Sequence, residues 1–202
     1  MAENNLCIES RSGVDRVYST QRSEEAKCRK GEVEWYIRAI DFMRDRHVLN
    51  SMLNDTDARR LDALQRAVEA RHAFILVAEI PHEVVGLAVV HIFPRDDMGW
   101  ESDSDTAQFQ LNENAYLENL EVREDLRSRG IGHDLLLAVE HAASEHGKRT
   151  LWLHSGEWNA RAHQFYAREG WQLVRTVYPD WNVGKPTRIY QKFVREQIML
   201  GD

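Results

Sequence analysis

Leu120-Glu121-Val122-Arg123-Glu124-Asp125-Leu126-Arg127-Ser128-Arg129-Gly130-Ile131-Gly132 is the stretch whose reading decides the fold. Ala115 to Val122 reads as a strand. Gly130 to His146 reads as a helix whose Ile131, Leu135, Ala138, Val139 and Ala142 share one face, ended by Gly147. The chain therefore passes from strand to helix on a pair of glycines. The first N–H groups of a helix lack intrahelical partners and lie at the positive end of its dipole, so such a start attracts anions. Gly130 and Gly132 let an oxygen approach the backbone with no Cβ in the way, while Arg127 and Arg129 add positive charge. The spacing excludes the Walker pattern, which needs Lys and then Ser or Thr after the second Gly, and the Gly-x-Gly-x-x-Gly dinucleotide pattern. A tight strand-to-helix turn with no ligand has the same outline, so the turn alone does not decide the function.

Downstream, Thr150 to His154 is a short apolar strand, which completes a strand, helix, strand crossover and makes its two strands parallel neighbours. Asn159 caps a helix from Ala160 to Arg168, Gly170 stops it, and Trp171 to Val177 and Thr187 to Val194 are strands. Upstream, Ala73 to Ile80 and Val84 to Phe93 are β-branched runs joined as a hairpin by Pro81-His82-Glu83. Between Pro94 and Gln110 lies a long polar loop containing Asp97, Asp103 and Asp105. From Glu32 to Leu53 the positions Val33, Ile37, Ile40, Val48 and Met52 fit a helix or two helical pieces. Asp55 or Thr56 then caps a second helix carrying Leu61, Leu64 and Val68, so two helices are expected before the sheet. Val14 to Thr20 is a candidate first strand within a poorly defined segment, residues 1–30, and residues 31–202 read as a single domain.

Bulk properties narrow the function classes. The 202 residues are 43% apolar and 29% charged, ordinary for a soluble globular protein. No apolar run approaches the roughly 20 residues needed to cross a bilayer, and Met1 to Asn5 show no secretory signal, so the cytoplasm is the expected compartment. Cys7 and Cys28 supply neither a disulfide framework nor a zinc site, and no metal is expected. A net charge of −7 argues against a surface that grips nucleic acid through its phosphates and leans towards a cationic substrate.

Arg127-x-x-Gly130-x-Gly132, after a strand ending Leu120-x-Val122, resembles the pyrophosphate-binding signature of the GNAT acyltransferases. A second stretch, Trp158-Asn159-Ala160-Arg161-Ala162-His163-Gln164-Phe165-Tyr166-Ala167-Arg168-Glu169-Gly170-Trp171, resembles the family's other pattern and follows at the expected distance. The resemblance implies an α/β (α+β) GNAT fold: a mixed, strongly twisted sheet of six to seven strands flanked by four helices, with a splayed parallel pair of strands holding CoA. It implies that Leu120, Glu121 and Val122 carry the pantetheine. Arg127, Ser128, Arg129, Gly130, Ile131 and Gly132 would hold the pyrophosphate, and Asn159 and Tyr166 would also contact the cofactor.

The chemistry requires two further groups. Attack on a thioester needs a neutral amine. For an amine of pKa near 10, neutrality at pH 7 costs roughly 4 kcal/mol, so a proton acceptor is required. Tyr116-Leu117-Glu118-Asn119 resembles polyamine-type members, in which the matching Glu is the base; the alternative is that Glu118 pairs with an Arg or binds the substrate cation. Glu121 is the rival acid, and strand alternation puts it on the opposite face. The departing thiolate needs a proton, and Tyr166 matches the family's general acid, with core packing as its other reading. His154 is a weaker second base, and His91, His133 and His163 rank below it. The loop from Tyr178 to Pro186, with Trp181, offers an aromatic cover for a cationic amine.

The sequence is thus expected to encode an acetyl-CoA-dependent N-acetyltransferase, moving an acetyl or other short acyl group to a primary amine of a small molecule by direct attack in a ternary complex. Its partners would be the amine acceptor and a second copy in a homodimer, with neither membrane nor nucleic acid. The competing readings are a non-catalytic acyl-CoA-binding regulatory module and a GNAT-like enzyme using an aminoacyl-tRNA donor.

Overall fold

β4 (Ala73–Ile80) and β5 (Glu83–His91) are almost continuously apolar, and nearly every side chain along them is buried, as strands covered on both faces require. A computed structural model describes residues 6–10, 16–20, 33–53, 58–81, 83–92, 113–178 and 185–194. Those residues form nine strands and four α-helices. The remaining labels are β1 (Leu6–Ser10), β2 (Arg16–Thr20), β3 (Tyr36–Ala39), α1 (Phe42–Met52), α2 (Ala58–Glu69), β6 (Asn114–Val122), α3 (Ile131–Glu145), β7 (Thr150–Gly156), α4 (Ala160–Arg168), β8 (Gln172–Val177) and β9 (Thr187–Phe193). The expected 94–110 loop with its three aspartates, the caps at Asp55 or Thr56, Cys28 and Trp181 lie outside the described residues.

The chain builds two compact units. The first comprises residues 1–68, 74–89 and 119–139, and the second residues 69–73, 90–118 and 140–202. Strands neighbour one another in the order β1-β2-β3-β4-β5-β6 in the first and β6-β7-β9-β8 in the second, β4, β5 and β6 contributing residues to both. The sheet is mixed, since β6 and β7 run parallel whereas β7 and β9 run antiparallel. From β3 onwards it has seven strands, the number the fold class requires, and the hairpin β1-β2 adds two at the β3 edge through Val17↔Arg38 and Tyr18↔Ile37.

The core of the first unit is Leu49, Leu53, Leu61, Leu64, Ile75, Val77, Val84, Leu87 and Val89. Leu61 and Leu64 come from the stripe of α2 that the sequence marks as apolar.

One expectation is corrected here. Residues 36–39, read as helical, are strand β3, paired antiparallel with β4 from Tyr36↔Glu79 to Ala39↔Leu76. The spacing of Val33, Ile37 and Ile40 suits a helix, but the ladder to β4 overrides so short a pattern. Alternation then buries Ile37 and turns Arg38 to a cluster of acids. Arg38 donates to both oxygens of Asp45 at 2.6 and 2.9 Å and to Glu79 at 2.5 Å, and Arg44 also pairs with Glu79. Burial alone would raise the Asp45 and Glu79 pKa values. The hydrogen bonds from Arg38 outweigh it, helped at Asp45 by the Asp41 amide, and both carboxyls are held below the usual range. Helix α1 begins at Asp41, whose carboxylate accepts from the Met43 and Arg44 amides, while Asp45 accepts from the Asp41 amide in return.

Candidate active site

The turn after β6 belongs to the first unit. Beyond Val122 a short 3₁₀ turn, Glu124–Leu126, precedes the glycines, and Ser128 and Gly130 have positive φ values of 65° and 104°. At Gly130 that conformation is open to glycine and costly to a side chain. Its carbonyl accepts the first helical bond of α3, from Asp134. Among the described residues, the N–H groups of Gly130, Ile131 and Gly132 find no backbone acceptor. An anion therefore meets several amides together with the positive helix end, which is the fit a diphosphate requires.

Two features anchor this turn. Arg127 donates through Nη2 to Glu121 at 2.6 Å and through Nε to the Val122 carbonyl at 2.8 Å, so part of its charge is already answered within the turn. Glu121, the rival acid of the sequence reading, is thereby engaged with Arg127. Gly86 on β5 sits so close that a Cβ there would lie 3.1 Å from Leu135, 3.2 Å from the Glu121 carbonyl and 3.3 Å from Ile131. The missing side chain lets β5 approach both the end of β6 and the start of α3. Trp35 also donates its indole N–H to Asp134 in the first turn of α3, at 2.8 Å.

In the second unit, β6 and β7 pair only at Asn114↔Thr150, Ala115↔Leu151 and Tyr116↔Trp152. Both strands continue past the last pair, and the far edge of β7 stays bonded to β9 from Thr150↔Phe193 to Gly156↔Thr187. The parallel pairing thus ends after three residues.

Glu118 lies two residues beyond the last pair. Its Oε2 is 2.5 Å from Nε2 of His91, which is fully buried, whereas 14% of the Glu118 side chain remains exposed. Alternation along β6 puts Tyr116 on the same face as Glu118. The Tyr116 ring stacks on His91 at 6.3 Å and meets Trp152 at 4.4 Å. His154, the weaker base candidate, packs edge-on against Tyr116 and Trp152, with Nδ1 3.5 Å from the Tyr116 hydroxyl. From the sequence His91 ranks below His154 as a base, and its contact with Glu118 is not legible there. The available signal was a lone polar side chain near the end of an otherwise apolar strand.

Tyr166 is carried by α4, which begins at Asn159, whose side chain accepts from the Ala162 amide at 3.1 Å as expected of an N-cap. The helix ends on Gly170, at φ 80°, with the Trp171 amide bonded to the Tyr166 carbonyl at 2.9 Å. Half-buried Tyr166 packs against Phe165, Trp171 and Tyr190, at centroid distances of 5.4, 5.6 and 5.8 Å. His163 accepts from Arg188 at 3.2 Å; burial and then the Arg188 charge hold it below the usual histidine range, as a neutral structural group. Of the expected aromatic cover, Tyr178 is exposed, and Lys185 lies over the exposed ring of Trp158 at 5.6 Å.

Among the described residues no helix is long and apolar enough to cross a membrane, and no group of three potential metal ligands comes together.

No curated protein matches the chain. Solved structures resemble it at low identity and support the fold. An N-acetyltransferase from Staphylococcus aureus Mu50 has a TM-score of 0.63 at 17% identity, over 80% of this chain and 99% of the other. A ribosomal-protein-alanine N-acetyltransferase from Brucella melitensis has a TM-score of 0.61 at 21% identity, over 78% and 98%. The protein yncA from Salmonella typhimurium, solved with its cofactor acetyl-CoA, has a TM-score of 0.63 at 16% identity, over 83% and 98%. The profile of the acetyltransferase (GNAT) family matches residues 36–171, which span both signature stretches. The turn, the short parallel pairing and that match agree, and the chain belongs to the GNAT family of acetyltransferases, enzymes that use acetyl-CoA.

Proposed function

We propose that the enzyme transfers the acetyl group to a primary amine of a small molecule, with Glu118 as proton acceptor and Tyr166 as proton donor. The observation that carries this reading is the position of Glu118, two residues past the point where β6 leaves β7, partly exposed and held by a buried histidine.

Acetyl-CoA supplies an acyl group already activated as a thioester, so the protein's task is chiefly to bind, orient and move protons. Leu120, Glu121 and Val122 would offer backbone groups to the pantetheine, and residues Arg127 to Gly132, with the amides of Gly130, Ile131 and Gly132 at their end, would hold the diphosphate. Asn159 keeps α4 in place from its cap and so sets the position of Tyr166. Glu118 removes a proton from the amine, whose nitrogen forms the new bond to the acyl carbon while the carbon–sulfur bond breaks. Tyr166 gives a proton to the sulfur and is restored by the second proton that the nitrogen loses on becoming an amide. The acidic chain, at −7 overall, favours a cationic acceptor over an anionic one.

The test is thiol release from acetyl-CoA across a panel of spermidine, tyramine, lysine amide, an aminoglycoside and an alanine-terminated peptide. Turnover of one of the small amines, lost in Glu118→Gln and in Tyr166→Phe, supports the assignment. Unchanged rates in both variants remove it, and exclusive use of the peptide moves the acceptor to protein amines.

A further inference from the structure

We infer that Trp35 is a positioning residue for the turn that opens α3, acting through Asp134 to aim the Ile131 amide at the diphosphate of acetyl-CoA. The inference rests on the reading of Arg127 to Gly132 as the diphosphate holder and is independent of the roles given to Glu118 and Tyr166. Trp35, Gly130, Ile131 and Asp134 all belong to the first unit.

Asp134 is the acid in the first turn of α3, and both its backbone and its side chain are engaged. Its amide donates to the Gly130 carbonyl at 3.0 Å, which closes the first helical turn. Its buried side chain accepts the Trp35 indole N–H at 2.8 Å. The carbonyl of Gly130 and the amide of Ile131 are the two ends of one planar trans peptide, so they point opposite ways. Drawing the carbonyl down the helix to Asp134 therefore turns the Ile131 N–H out of the helix start, where an anion meets it. The restraint matters at Gly130, at φ 104°, because a glycine turns more freely than any residue with a side chain. Trp35 supplies it from a firm base. It directly precedes β3, whose ladder to β4 runs from Tyr36↔Glu79 to Ala39↔Leu76 and whose Ile37 is buried. The bond also gives the acid a partner of its own. Helical side chains lean towards the N-terminus, so the Asp134 carboxylate leans towards the amides that a diphosphate needs.

The experiment compares the full-length enzyme with Trp35→Phe, Asp134→Leu, Asp134→Asn, the double variant Trp35→Phe/Asp134→Leu and Gly132→Val. CoA affinity is measured by titration calorimetry, which needs no acceptor. Thiol release with the fastest amine of the panel above gives kcat and the KM for acetyl-CoA. Phenylalanine keeps an aromatic ring at position 35 and loses the N–H. Trp35→Phe is expected to weaken CoA binding about fivefold, the low end of the coupling between linked sites, and to raise the KM for acetyl-CoA with kcat unchanged. Asp134→Leu should match it, and the double variant should be no weaker than either single one, as for residues that act through one bond. Asp134→Asn keeps an oxygen for the indole and removes a negative charge beside the diphosphate, so it should bind CoA at least as tightly as the wild type.

Wild-type CoA affinity in Trp35→Phe overturns the inference. An Asp134→Asn as weak as Asp134→Leu also overturns it, since a bond to the indole distinguishes the two and a packing role does not. So does a double variant that shows the product of the two single losses, or a Trp35→Phe whose defect lies in kcat. Gly132→Val separates the inference from the reading beneath it, because it places a side chain in the path of the diphosphate. If Gly132→Val loses CoA and Trp35→Phe does not, the inference falls and the turn keeps its role. If Gly132→Val binds CoA as the wild type does, the reading of the turn has failed, and the inference with it. Should Asp134→Leu fail to fold, the contrast between Trp35→Phe and Asp134→Asn decides alone.

Discussion

The guanidinium of Arg127 lies 2.6 Å from the carboxylate of Glu121, six residues earlier, and its Nε reaches the Val122 carbonyl at 2.8 Å. Arg127 thus braces the turn as well as lending it charge. Arg127→Ala is expected to weaken CoA binding about tenfold, or about 1.4 kcal/mol. Arg127→Lys restores the charge but not the planar fork that spans two acceptors, so its affinity should stay near that of the alanine variant. Titration calorimetry with CoA checks this, and full recovery in the lysine variant would reduce Arg127 to a point charge.

Gly86 faces a carbonyl and two side chains, all within 3.3 Å of where its Cβ would be. The backbone at Glu121 cannot yield as a side-chain tip can. Gly86→Ala should therefore destabilise the protein by about 2 kcal/mol, and Gly86→Val by more. In a chain of this size that corresponds to a fall in Tm of about 4–8 °C in thermal unfolding. CoA affinity should fall in parallel, because the displaced groups border the turn.

The parts of the molecule legible in the sequence are those governed by local chemistry. Helix α4 runs from Ala160 to Arg168 as read, because Asn159 and Gly170 mark its ends through caps that involve only near neighbours. The turn that opens α3 was legible for the same reason, since a helix start and two glycines are local features. Strand β3 was not, because Ile37 and Arg38 become strand only by pairing with Ala78 and Val77, some forty residues away. Nor was the contact of His91 with Glu118, which joins residues 27 apart. Alternation could say which face of β6 Glu118 takes, but not what the neighbouring strand places opposite it.

The cluster of Arg38, Asp45 and Glu79 sets an acid limit on stability. Both carboxyls titrate below their unfolded range, so the stability they contribute is complete above about pH 4.5 and is lost as the pH falls through their folded values. In Arg38→Met the acids lose the partner that holds them ionised, and two buried charges are left short of compensation. The variant should be less stable by about 3 kcal/mol near pH 7, with a flatter decline towards about pH 3.5. Urea midpoints across that range measure both effects, and parallel curves for the two proteins would show that the cluster does not control acid unfolding.

Tyr166 separates packing from catalysis because its ring and its hydroxyl serve different purposes. The ring contacts Phe165, Trp171 and Tyr190, and a phenylalanine keeps all three. Tyr166→Phe should accordingly leave these ring contacts intact. The hydroxyl, if it protonates the departing sulfur, should show its loss in kcat alone. General acids are worth about 10²–10⁴-fold, and a thiolate whose conjugate acid has a pKa near 8.5 leaves readily, so the deficit should lie near the lower end, about 100-fold. The deficit should also shrink with a thioester donor whose thiol is more acidic, since such a thiolate needs less help to depart. Steady-state rates with the two donors measure this directly. A variant as fast as the wild type with both would leave Tyr166 as the aromatic link between α4 and β9 and nothing more.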